Sequence, residues 1–393
     1  MFTHVFESAK TDAEIKETTA KVVDAIKAKE ILLEKVSIRD VAEATLGVDG
    51  LRKMAQSSNE VSFHMVQEAV APVNLSAFTN ITGQLVLQGV YDAYSAPEYI
   101  AEKLVTVEAS REDNTRTPGL QEIDADAMEV EEGAEYPDVK FNEDYINVPQ
   151  SKKRGMKIGI TREMVFFDRT GMVLEMARSV GENLALNKER RIMDVVLGIT
   201  NTYVRKGVAR NTYVSATDNA NDPRINKITQ ALTDWNSFDV ALQTFEAMSN
   251  DSTGEAKRPI IVQPKVVLVT QAKWMTARNI VGATQIRVGG ATTAANTQTY
   301  ANSPVDQYEV ITSPWIKRRL VQSGVAASNA DKNWLIGDPK RAFRYRQLFP
   351  LQVIAAQHDK DAFDRDVIAQ FRADERGVAY AYAPWYMLLA NEG

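Results

Sequence analysis

The side chains best placed to do chemistry are charged, and they come in runs. Between Glu122 and Asp138 the chain carries Glu122, Asp124, Asp126, Glu129, Glu131, Glu132, Glu135 and Asp138, with no basic residue among them. Carboxylates in this number could hold a divalent cation. Calcium loops need acids at set positions around a tight turn, and Asp124, Asp126 and Glu135 match no such spacing. A solvated or interface face is the better reading of the run. A basic set follows later, Lys317, Arg318 and Arg319 in a row and then Arg341, Arg344 and Arg346. These could grip phosphate, but such residues more often pair with carboxylates on a neighbour or face water. Lys152, Lys153, Arg154 and Lys157 form a third charged group, just beyond the acidic run.

Other chemistry finds little support. Gly289-Gly290 has no Lys-Ser/Thr element behind it, so it is no phosphate loop. No Gly-x-Ser-x-Gly, His-Glu-x-x-His or dinucleotide fingerprint occurs. The chain has no cysteine, which excludes disulfides, thiolate metal sites and cysteine nucleophiles. His4, His64 and His358 lie too far apart in sequence to suggest a triad or a metal site. A lysine–asparagine isopeptide would need a desolvated lysine beside a carboxylate base, and nothing in the sequence picks out such a trio. The expectation is a protein with no catalytic, cofactor-binding or metal-ligating residues, and not an enzyme.

The elements that must position these charges start from Gly171–Gly198. Val173, Met176, Ala177, Val180, Leu184 and Val195 recur on one side at helical spacing, with Glu175, Arg178, Glu182 and Glu189 on the other. At roughly 1.5 Å per residue this predicts a helix about 40 Å long. Asp168 or Thr170 can cap its start and Gly198 can end it. One apolar stripe and one charged face describe a beam lying on a surface, not a buried rod.

Around this beam the 393 residues leave room for two or three domains, and 44% apolar residues can build large cores. A net charge of −6 argues against sequence-independent nucleic-acid binding. No apolar run approaches the roughly 18 residues of a membrane helix, and MFTHVFESAK lacks the pattern of a secretory signal. Residues 1–70 read as short charge-rich helices: Thr11–Glu30, one opening at the capping-box-like Ser37-Ile-Arg-Asp40 and ending near Gly47, and one at Asp49–Gln56. Such helices are marginal alone, so they are expected to lie along another surface. Ala69–Ile81 reads as an extended connection and Thr82–Tyr94 as a helix packing Leu85, Val86, Gly89 and Val90.

Tyr99–Glu108 reads as a strand entering a long irregular region, 109–147. Tyr145–Val148 and Arg154–Thr161 return as strands, with Gly155 and Gly159 permitting close backbone approach. An acidic outgoing limb and a basic return limb suit an antiparallel hairpin projecting roughly 50 Å. Further on come a loop or bulged hairpin (201–224), a helix at Asp234–Met248 carrying Trp235, Phe238, Leu242 and Phe245, and a central buried strand at Val266–Val269. Thr270 is the expected cap of the next helix, and Gly282–Ser303 reads as an irregular loop. Strand patterns recur at Tyr308–Ser313, Trp334–Ile336, Phe343–Val353, Phe363–Ala373 and Val378–Pro384. Methionines such as Met172, Met176 and Met193 read as core filler.

The order of these pieces resembles the major capsid protein of tailed bacteriophages. The resemblance is carried by Trp334-Leu-Ile-Gly-Asp338-Pro-Lys-Arg-Ala-Phe343, by Pro350–Val353, by Phe363-Asp-Arg-Asp-Val367 with Phe371-Arg-Ala, and by Glu132-Gly-Ala-Glu-Tyr-Pro through Thr161-Arg-Glu-Met164. It spans about Leu75 to Ala383. It implies an α+β phage major capsid fold with residues 1–81 as an N-terminal helical arm, 82–108 opening a peripheral domain and 109–160 as an extended hairpin loop. A spine helix at 161–200, an axial domain at 201–322 and return strands of the peripheral domain at 323–393 complete it. The start at Met1 favours an uncleaved arm. The implied function is a structural shell protein that self-assembles as hexamers and pentamers around packaged double-stranded DNA, without sequence-specific binding and without a membrane. Scaffolding, portal and decoration proteins are the implied further partners. The implied location is the virion, after assembly in the host cytoplasm. The charges expected between subunits are Glu129, Glu131, Glu132, Glu135, Lys152, Lys153, Arg154, Lys317, Arg318 and Arg319. Two other readings compete: a cargo-holding nanocompartment shell of the encapsulin type, and a soluble α/β enzyme with a charged lid.

Overall fold

The computed structural model describes residues 12–29, 36–46, 72–96, 99–119, 130, 135, 144–200, 203–218, 224–249, 259–283, 285–288, 298–301, 307–356 and 367–391. Helices Asp12–Lys27, 38–46 and Pro72–Tyr94 come first, then a 3-10 turn at Ala101–Leu104 and strands β1 (Thr106–Ala109), β2 (Arg116–Pro118), β3 (Tyr145–Asn147) and β4 (Lys152–Thr161). A short helix, Arg162–Phe166, precedes the long helix Thr170–Val196. Strands β5 (Val204–Arg205), β6 (Val208–Ala209) and β7 (Lys227–Thr229), helix Trp235–Glu246, β8 (Val266–Val269) and helix Gln271–Gly282 follow. Then come β9 (Gln285–Val288), β10 (Gln298–Ala301), β11 (Glu309–Thr312), helix Pro314–Gln322, β12 (Trp334–Gly337), β13 (Phe343–Ala356), β14 (Val367–Ala381) and β15 (Met387–Asn391).

The chain divides into two compact units. The first is Met1–Tyr99, Lys152–Asn187 and Phe349–Arg376; the second is Ile100–Ser151, Lys188–Leu348 and Gly377–Gly393. In the first unit, Val22, Ile26, Ile38 and Val41 of the two arm helices pack with Phe78, Ile81, Leu85 and Val90 of helix Pro72–Tyr94 and with Val173, Ala177, Val180 and Leu184 of the long helix. Ile158 and Ile160 of β4 and Phe371 of β14 close the same core. Burying each such side chain stabilises by about 1.5–3 kcal/mol before entropy is counted, which is how short arm helices persist where isolated ones would not.

The residues 72–81 correct the expected extended connection. They are helical, and Pro72 stands at the first helical position, where a missing N–H costs nothing and φ is already set. β4 pairs with β14; the acidic limb expected opposite it lies outside the described residues except for Val130 and Glu135. Gly155 permits that pairing. A Cβ there would meet the Ala373 carbonyl oxygen and the Asp374 Cβ, each at 2.7 Å.

The second unit centres on a five-stranded sheet in the order β11-β8-β12-β15-β7. β8 pairs parallel with β11 and antiparallel with β12. Val267, Leu268 and Val269 are fully buried, as their uninterrupted β-branched and aliphatic run predicts. A second sheet, β2-β3-β5-β6, is antiparallel. The first residues of β13 pair parallel with β1, Arg344 opposite Thr106. The expected strand over 99–108 is instead a 3-10 turn followed by the four residues of β1.

Three further expectations change. The segment 282–303 holds an antiparallel pair, β9 with β10, so Gln285–Val288 and Gln298–Ala301 are strand, not irregular loop. Thr270 precedes its helix, but its hydroxyl donates to the Asp331 carbonyl at 2.9 Å and does not cap. The long helix ends as predicted at Gly198, φ +71°, yet only its N-terminal portion is a one-sided beam. Lys188, Glu189 and residues 192–197 are all buried, so Glu189, expected on the solvent face, lies inside the second unit. Trp235 and Met172, by contrast, remain exposed.

Candidate functional site

The charges expected between subunits divide three ways. Glu129, Glu131 and Glu132 lie outside the described residues, while Glu135 and Lys152 are exposed. Lys153 reaches Asp374 at 2.6 Å, and Arg154 lies half-buried beside it. The third group sits on helix Pro314–Gln322, which begins with Ser313 accepting the Trp315 amide and Pro314 at the first position. Lys317 pairs with Asp331 at 2.6 Å, and the Arg318 guanidinium lies 5.9 Å from the Trp315 ring centre. Arg319 grips both oxygens of Asp194, Nε to Oδ1 at 2.6 Å and Nη2 to Oδ2 at 2.9 Å. That is the bidentate fork guanidinium makes best. The partners of Lys153, Lys317 and Arg319 are therefore residues of the same chain.

The arginines weighed as phosphate ligands are also occupied. Arg344 pairs with Glu108 and stacks on Tyr382, and Arg346 donates to the hydroxyls of Thr115 and Thr117 at 2.6 Å each. Arg341 lies 4.3 Å over the Tyr386 ring centre. Asp144 and Arg205 form a buried pair at 2.9 Å, a contact that the sequence offered no signal for, since neither residue belongs to a charge run.

Two carboxylates, Asp168 just before the long helix and Glu189 within its C-terminal half, show what this wiring does. Burial alone would raise the Asp168 pKa, but hydrogen bonds from the Thr170 hydroxyl (2.7 Å), the Ser37 hydroxyl (2.8 Å) and the Arg39 amide together hold it below its ordinary 3.8. Ser37 in turn accepts the Asp40 amide at 3.1 Å, so the anticipated cap at 37–40 forms and is anchored on Asp168. Glu189 accepts the amides of Ile100 and Ala101, and burial nevertheless pushes its pKa above the ordinary value. Beside it the buried Lys188 pairs with Glu102. Both sites fasten one chain segment to another.

Large apolar side chains also reach the surface. In the first unit these include Phe166 and Phe167, at 42% and 61% exposure, with Met172 and Phe349. In the second they include Val208, Ile261 and Met275. Among the described residues no group of histidines and carboxylates is placed to hold a metal ion, and no helix is long and apolar enough to cross a membrane.

The described residues thus form a mixed helix-and-sheet chain whose polar groups clamp distant segments and whose surface keeps aromatic side chains. Residues 147–383 match a family model described as phage capsid protein, more than half of the chain, and the chain belongs to that family. It is a capsid protein, a structural component of a phage shell. No curated protein matches it. Among solved structures it is similar to one of Gordonia phage Cozz, at 11% identity over 75% of this chain and 86% of that one, TM-score 0.43. It is similar to the cyanophage Pam1 capsid asymmetric unit at 12% identity over 77% and 93%, TM-score 0.43. A virus-like particle from Pyrococcus furiosus matches at 10% identity over 78% and 95%, TM-score 0.35.

Proposed function

We propose that many copies of this chain close into an icosahedral shell of hexamers and pentamers around packaged double-stranded DNA, assembled in the cytoplasm of a bacterial host. The observation that carries the reading is the capsid-family match across residues 147–383. Residues 109–160 act as the extended loop that lies over a neighbouring copy, and 201–322 act as the axial domain around the symmetry axes. Of the expected arm, residues 1–81, the helices Asp12–Lys27 and 38–46 and residues 72–81 anchor it on the core of their own unit. Glu135, Lys152 and Arg154, with the acidic positions Glu129, Glu131 and Glu132, set register between copies, because charge complementarity governs orientation more than affinity. Lys153, Lys317, Arg318 and Arg319 contribute to that surface chiefly by ordering the elements they sit on.

Each contact in such a shell is weak by itself, and closure makes the whole hard to dismantle because many contacts must fail together. Scaffolding, portal and decoration proteins are the further partners of this reading. Electron microscopy of the purified protein tests it. Closed shells with five-fold and six-fold clusters are expected; a monodisperse monomer at all concentrations sinks the proposal.

A further inference from the structure

The turn before the long helix displays two adjacent aromatic rings to solvent. Phe166 and Phe167 meet edge to face with centroids 5.3 Å apart, and the Arg169 guanidinium lies 5.8 Å from the Phe167 ring centre. The backbone beneath them is closely held. Phe167 donates to the Glu163 carbonyl at 2.9 Å, Asp168 to Val165 at 3.2 Å and Arg169 to Met164 at 2.8 Å. Asp168 itself is left-handed, φ +49°, and its carboxylate is held by the hydroxyls of Ser37 and Thr170. The rings are thus presented on a knuckle that is tied down from three directions, by its own helix, by the arm and by the start of the long helix.

Phenylalanine and arginine are among the residue types enriched at protein interfaces. Presenting them on a fixed turn lowers the ordering cost of docking. We propose that the Phe166–Phe167 knuckle is a subunit contact, docking against a second copy of this chain. The inference rests on the shell reading above and adds the place of one contact. Area argues for a sister copy within a shell. Phe166 and Phe167 are 42% and 61% exposed, which leaves about one aromatic side chain's area to bury, roughly 150–250 Å², short of the roughly 800 Å² per partner of a stable pairwise complex. Such a knuckle supports one contact among many and not a free-standing dimer.

Two measurements on the full chain test this. The first compares assembly of the wild type with the Phe166→Ser/Phe167→Ser double variant by sedimentation and electron microscopy, with thermal melting to verify the fold. The variant is expected to melt within about 2 °C of the wild type and to need about tenfold or more protein to assemble. The second replaces Phe167 with a benzophenone-bearing phenylalanine, which keeps an aromatic group in place and decides the matter should the double variant misfold. Irradiated shells are expected to yield covalent dimers. Unchanged assembly of a folded double variant, or crosslinks that map only within one chain, for instance to residues 47–71, overturns the contact and leaves the shell reading intact. Failure of the wild type itself to form closed shells removes the shell reading first, and the contact with it.

Discussion

The two units bury their apolar surface with different materials. The second unit packs Trp334, Phe343, Tyr345 and Tyr380 fully inside and closes the pairs Asp144–Arg205 and Asp194–Arg319 in the same interior. The first unit packs aliphatic side chains of five helices against three strands; Phe78 and Phe371 are the fully buried aromatic rings of its described core, while Phe166, Phe167 and Phe349 face solvent. Aromatic side chains carry the largest apolar area per residue. Where a unit keeps them inside, stability is local. Where it leaves them outside on an ordered turn, the area is free for a neighbour. Both units leave apolar side chains outside, Phe166, Phe167 and Phe349 in the first and Trp235, Ile261 and Met275 in the second, so the contrast lies in what each unit packs within.

The largest test of that contrast is Trp334→Ala. Trp334 is fully buried, lies against Phe238 and donates its indole N–H to the Gln230 carbonyl at 2.9 Å. Its truncation is expected to cost about 3–5 kcal/mol in urea melts of unassembled protein. The exposed Phe167, changed to Ala, should stay within about 0.5 kcal/mol. Equal losses would erase the distinction between the two units.

Next comes charge. Asp144→Ala strands the buried Arg205 guanidinium and should cost about 3 kcal/mol by the same melts. Lys153→Ala, at the rim of the first unit with its side chain 57% exposed, should cost less than about 1 kcal/mol. A costly Lys153→Ala would show that the first unit depends on that ion pair more than its exposure allows.

Gly155→Ala probes how tightly β4 lies on β14. The added methyl meets the Ala373 carbonyl and Asp374, so a loss of about 1–3 kcal/mol is expected, read from the thermal midpoint. A neutral outcome would mean that the strand pair yields easily.

The smallest effect separates the two carboxylates by sign. Asp168 has a folded-state pKa below its ordinary 3.8, so its contribution is present above that value and is lost as pH falls through the window below it. Glu189 has a folded-state pKa above its ordinary 4.5. Its contribution is greatest below that value and declines as pH rises through the window just above it. Stability measured from pH 3 to 6 should therefore lose an acid-side slope in Asp168→Asn and a slope of opposite sign in Glu189→Gln. Slopes of the same sign would show that the two sites do not differ as their surroundings imply.

Much of the local structure was legible in the chain. Phe238 and Phe245 are buried on helix Trp235–Glu246, as their spacing implied, while Trp235 of the same set stays exposed. Residues 72–81 were misread because Asn, Ser and Thr carry weak helix preference and Pro72 suggests a break, whereas burial of Phe78 and Ile81 overrides both. The charge runs were read as contacts between copies, and nothing in them signalled that Lys153, Lys317 and Arg319 have partners in the chain.

The amino-acid order by itself determined the long helix and its stop at Gly198, the central strand Val266–Val269, and the lack of thiol and phosphate-loop chemistry. These follow from residue types and from periods of two to four residues, which neighbouring side chains alone define. Only the tertiary structure decided that Glu189 is interior, that Arg319 closes on Asp194 from 125 residues away, and that Phe166 and Phe167 remain outside. Each of those outcomes depends on where distant segments of the chain arrive, and burial and Coulomb attraction act on distance in space, which separation along the chain does not specify.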